Sequence, residues 1–69
     1  MTTKEATRIS QAAKYHAIRG TGRTDNAICR EAVGEDRWFN DFSGTDIRDA
    51  TLIAGRARKS ILFPGQEVG

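Results

Sequence analysis

The chain has few of the residues that staple or arm a small protein. Its 69 residues include one cysteine, Cys29, one histidine, His16, and one proline, Pro64. A single thiol closes no internal disulfide, and one cysteine with one histidine falls short of the four ligands of a structural zinc site. No apolar run approaches the roughly 18 residues of a membrane span, and Met1-Thr2-Thr3-Lys4-Glu5 has no apolar core of a signal sequence. No Walker, dinucleotide-binding, zinc-finger or calcium-loop spacing occurs. A lone thiol without a disulfide framework fits a reducing compartment, so a cytoplasmic protein with no metal, no cofactor and no membrane segment is expected. Apolar residues are also scarce, at 38%, against roughly 45–50% in ordinary globular domains. A chain this short buries only about 60% of its unfolded surface. With a thin core and no staple, association with another chain is the remaining way to bury more.

What the sequence does have is helical periodicity, broken at Gly20-Thr21-Gly22, Gly34, Ser43-Gly44 and Pro64-Gly65. Thr2 and Glu5 have the spacing of a capping box, which predicts a first helix from Thr3 to Arg19 ended by Gly20. Ala6, Ile9, Ala13, His16 and Ala17 share one face of it. Thr24 with Asp25 opens a second helix ending near Gly34, with Ile28, Cys29, Ala32 and Val33 buried. A short third helix over Asp36 to Phe42 groups Trp38, Phe39 and Phe42. A fourth, starting after Thr45 and reaching Leu62, aligns Ile47, Ala50, Ala54, Ala57 and Ile61, with Ile53 on the flank. The expected fold is all-α: one four-helix domain over 1–63, with three longer helices and one short aromatic one, then a short irregular tail over 64–69. Trp38, Phe39, Phe42, Ile47, Ile53 and Ile61 are the expected core.

Charge is unevenly spread, although the net is only +2. Residues 1–23 hold five cations and one carboxylate, residues 24–49 hold three cations and seven carboxylates, and residues 50–69 hold three cations and one carboxylate. This polarity suits an external partner or a head-to-tail neighbour. Catalysis, by contrast, needs converging groups. His16 and Cys29 both fall on apolar faces, where a thiol is normally inert. Asp25, Asp46 and Asp49 sit in helix first turns, where the dipole accounts for them. No enzymatic activity and no small-molecule substrate are expected.

Two surface stripes remain. Leu52, Arg56, Lys59 and Phe63 recur at i, i+4, i+7 and i+11, opposite the alanine-isoleucine stripe of the fourth helix. Aromatic and arginine side chains together suit a protein interface, and these four are the expected contacts for a protein partner or for self-association. Lys4, Arg8, Gln11, Tyr15 and Arg19 form a basic, aromatic-bearing stripe on the first helix. With Arg23 of the glycine loop, Lys4, Arg8, Tyr15 and Arg19 are the contacts expected if the partner is nucleic acid. The Gly20–Arg23 loop could also meet a phosphate ahead of the second helix.

Two local resemblances bear on the choice. Cys29-Arg30-Glu31-Ala32-Val33-Gly34-Glu35-Asp36-Arg37 resembles the first helix and turn of a helix-turn-helix DNA-binding unit, which implies a small nucleic-acid-binding regulator. It departs from that pattern at Arg30, where a small residue is usual, and in the acids Glu35, Asp36 and Asp41 of the would-be recognition helix. Gly55-Arg56-Ala57-Arg58-Lys59-Ser60-Ile61-Leu62 with Pro64-Gly65 is similar to the ends of some small tail-associated proteins of short-tailed phages, which implies a phage-encoded accessory or virion component. The sequence therefore points first to a non-catalytic protein-binding module, an adaptor, inhibitor or assembly component. A nucleic-acid-binding regulator is the alternative.

Overall fold

A computed structural model describes residues 1–66, and residues 67–69 of the tail lie outside it. The described residues form four α-helices and no strand: α1 Thr3–Arg19, α2 Asp25–Val33, α3 Glu35–Asn40 and α4 Gly44–Leu62, followed by a 3-10 turn at Pro64–Gln66. The all-α expectation is met, and local chemistry accounts for the helix boundaries. At α1, Thr2 Oγ1 accepts from the Glu5 amide at 3.1 Å while Glu5 Oε1 accepts from the Thr2 amide at 2.9 Å, closing the capping box. Gly20 ends the helix in the left-handed region at φ 63°, where any other side chain would be strained. Thr24 Oγ1 caps α2 by accepting from the Ala27 amide.

Two boundaries differ from expectation. The fourth helix begins at Gly44 rather than after Thr45, because Ser43 and Asp46 form a second capping box. The aromatic helix spans Glu35–Asn40 rather than Asp36 to Phe42. Gly34 alone separates it from α2, the chain turning there with φ 93° and ψ 139°.

α1 and α4 are the long packing partners, and they run in the same direction. At one end the terminal amine of Met1 lies 3.6 Å from Asp46 Oδ1. At the other, His16 and Ala17 share a cleft with Leu62 and Phe63. Their facing surfaces are Ile9 and Ala13 on α1 and Ala50, Ala54 and Ala57 on α4. Alanines let two helix backbones approach closely, at the cost of burying little area per residue. α2 lies across both helices and contributes Ile28 and Cys29. α3 packs on α2 and closes the core with Trp38, 3% exposed, whose ring meets that of Phe42 at 5.4 Å.

The expected core needs correction. Trp38 and Phe42 are buried, but Phe39 is 64% exposed. Positions four apart share a helix face, whereas the neighbour of Trp38 points about 100° away, and α3 is too short to cover it. Ile47 and Ile53 pack on the edge of the core and Ile61 is only partly buried. The largest fully buried side chains are Ile9, Ile28 and Cys29, so the core is as thin as the composition implied.

Candidate functional site

The buried polar chemistry lies between α1 and α3. Arg37 grips Glu5 with both arms of its guanidinium, Nε donating to Oε2 at 2.7 Å and Nη2 to Oε1 at 3.0 Å. Arg37 also lies 3.7 Å from Asp41 and over the Phe42 ring at 5.4 Å. The Arg37 hydrogen bonds, aided by the Thr2 amide, hold the Glu5 carboxyl at about 2, well below the usual carboxylate range. All of these groups hold one another, which is the pattern of a structural clamp.

The single histidine and cysteine are placed as follows. Cys29 is fully buried, and burial together with the Asp25 charge pushes its thiol up to about 11. That is the opposite of what a nucleophile needs. His16 Nδ1 lies 2.9 Å from Thr21 Oγ1 and its Nε2 lies 3.5 Å from Glu31. A hydroxyl, an imidazole and a carboxylate in series resemble the parts of a nucleophilic relay. Here, however, the Arg23 amide donates to Thr21 Oγ1 at 3.4 Å and the Arg23 guanidinium holds Glu31 at 2.8 Å. The series thus fastens the α1–α2 loop onto both helices. Sequence reasoning placed His16 on the apolar face, and its polar tip in fact turns towards α2.

The open surface is at the other end of the α1–α4 pair. A cleft of about 320 Å³ is lined by His16, Ala17, Gly20–Arg23, Arg58, Lys59, Leu62 and Phe63. Arg58 approaches both oxygens of Asp25, at 3.3 and 3.4 Å, although only the Oδ2 contact has hydrogen-bond geometry. Arg23 is engaged by Glu31. Lys59 is not: among the described residues, neither Arg56 nor Lys59 lies in an ion pair.

All four residues of the α4 stripe are exposed, Leu52 at 53% and Phe63 at 54%. Lys59 and Phe63 continue from the stripe into the cleft, where they meet Arg23, a residue expected only for a nucleic-acid partner. Leu62 and Ile18, both exposed, enlarge the apolar surface at this end. The sequence carried a signal for Ile18, which falls off the Ile9–Ala13 face of α1.

Lys4, Arg8, Tyr15 and Arg19 are likewise exposed along α1. The Arg19 guanidinium lies over the Tyr15 ring at 5.3 Å, covering one of the faces on which a base would stack. The two stripes do not merge. None of the four α1 residues lines the cleft that Lys59 and Phe63 reach, although Arg23 does. The helix-turn-helix resemblance also meets a geometric difference. α2 and α3 are joined by Gly34 alone and α3 has six residues, whereas such units use a turn of about three or four residues.

No family model, no curated protein and no solved structure matches the chain. Among the described residues no helix is long and apolar enough to cross a membrane, and no cluster of three candidate metal-ligating side chains occurs.

Proposed function

We propose that this chain is a non-catalytic protein-binding module, working as an adaptor, inhibitor or assembly component through the outer face of α4. The observation that carries the reading is the pairing of Leu52 and Phe63, each about half exposed, with Arg56 and Lys59, which have no carboxylate partner among the described residues. Large apolar side chains left half exposed gain less from folding than buried ones do. Aromatic and arginine side chains together are the usual anchors of a protein interface. A phage-encoded or virion accessory role would be one setting for such a module.

The test is affinity capture from a lysate with nuclease present, comparing the wild type with Phe63→Ala. One defined protein, retained after nuclease and lost with Phe63→Ala, is the expected result. Loss of every partner on nuclease treatment would overturn the reading in favour of nucleic acid. In that case Arg8→Ala and Arg19→Ala should each lower the salt dependence of binding by about one counterion.

A further inference from the structure

The α4 face has a complement on the same molecule. α3 presents Phe39 to solvent, with Glu35 four residues and Asp36 three residues before it on the same helix face. Neither carboxylate lies in an ion pair among the described residues. Two cations are near: Arg37 is engaged by Glu5 and Asp41, and Arg30 lies over the Phe39 ring at 5.9 Å. On α4 the arrangement has the opposite sign, with Phe63 preceded by Lys59 at four residues and Arg56 at seven. Each surface is thus an exposed aromatic flanked by charges that lack an ion-pair partner among the described residues.

We infer that the α4 face of one copy receives the α3 face of a second copy, Phe63 packing with Phe39 while Lys59 and Arg56 meet Glu35 and Asp36. The inference rests on the protein-binding reading of the α4 face and names its occupant. Charge selects the geometry. A two-fold contact centred on Arg56 and Lys59 would bring these cations of both copies together, with Asp49, two turns before Arg56, the one carboxylate on that face of α4 among the described residues. The α3 face instead supplies two carboxylates and a ring. A contact between two different surfaces is heterologous, so a pair of copies still has one free face of each kind, and assembly continues into a ring or an open chain.

The experiment is sedimentation of the full chain over micromolar to millimolar concentration, with two mild variants at exposed positions, Phe39→Ala and Phe63→Ala. Wild type should grow in mass with concentration, less so at high salt, because exposed ion pairs are screened. Each variant alone should be monomeric where the wild type is assembled. Their mixture should form one-to-one dimers and stop, since Phe39→Ala still offers an intact α4 face and Phe63→Ala an intact α3 face. Circular dichroism of each variant should match wild type, which separates a lost contact from a lost fold. A wild type that stays monomeric throughout overturns the inference, and so does a Phe39→Ala chain that assembles like wild type. Either result leaves the protein-binding reading to its own test, in which Phe63→Ala loses a captured protein.

Discussion

The two ends of the α1–α4 pair are built differently. At the N-terminal end two carboxylates are held within the chain: Glu5 by Arg37 and the Thr2 amide, Asp46 by Ser43 and the Met1 amine. At the C-terminal end Ile18, Leu62 and Phe63 face solvent, and Lys59 has no acid beside it among the described residues. Both ends come from the same two helices, so helix propensity does not distinguish them. The difference lies in whether the next element covers them. α3 returns to the first end and brings Arg37 and Trp38 with it, whereas the second end has only the short Gly20–Thr24 loop. One end is closed by α3, and the other leaves Ile18, Leu62 and Phe63 exposed.

That contrast is broken most directly within α3. Trp38→Ala should destabilise the chain by about 3–5 kcal/mol, since it empties a buried aromatic site. Its neighbour Phe39→Ala should change stability by no more than about 0.5 kcal/mol. Urea titration of both would show whether the two adjacent aromatics have the separate duties assigned to them.

Glu5→Gln comes next, with a loss of about 2 kcal/mol, the scale for hydrogen bonds to a charged group. It also carries a pH signature. The Glu5 carboxyl titrates at about 2 in the folded chain, below its ordinary value of about 4.3. Its stabilisation is therefore whole above that ordinary value, declines as pH falls from there, and is gone below the folded value. Asp46 is lowered in the same direction, its largest cause being the Ser43 amide, so the wild type has two groups acting together. Melting across pH 2 to 6 should show an acid decline that is visibly shallower in Glu5→Gln.

A smaller effect of opposite sign is expected at Gly55. A methyl there would meet Asp25 Oδ2 at 3.5 Å, an ordinary contact. Gly55→Ala should therefore stabilise α4 by up to about 1 kcal/mol, the difference in helix propensity. A loss on thermal melting would mean that α2 sits closer to α4 than described.

Much of this was legible in the sequence, for identifiable reasons. The Thr2–Glu5 box, the Thr24 cap and the Gly20 stop are local signals that need no tertiary context. The exposed α4 stripe also followed from periodicity alone, because a helix committed on one face leaves the opposite face predictable. What could not be read was how distant elements meet. Glu5 looked like a cap and nothing more, since Arg37 is 32 positions away. Phe39 stands three residues before Phe42, a spacing that also shares a helix face, and what leaves it exposed is that α3 ends at Asn40. Ser43, with Asp46 three residues on, takes the capping role that Thr45 offers in the sequence. Arg23 reached the cleft beside Lys59 and Phe63 through the parallel course of α1 and α4, which no local pattern encodes.

The central claim is that Leu52 and Phe63 serve a partner and not the core. Equilibrium urea unfolding of the double variant Leu52→Ala/Phe63→Ala tests it most directly. The midpoint should stay close to that of the wild type, with the stability change within about 1 kcal/mol for two exposed positions. A loss on the scale of buried truncations, about 2–5 kcal/mol for each residue, would place this face in the folding core and contradict the account.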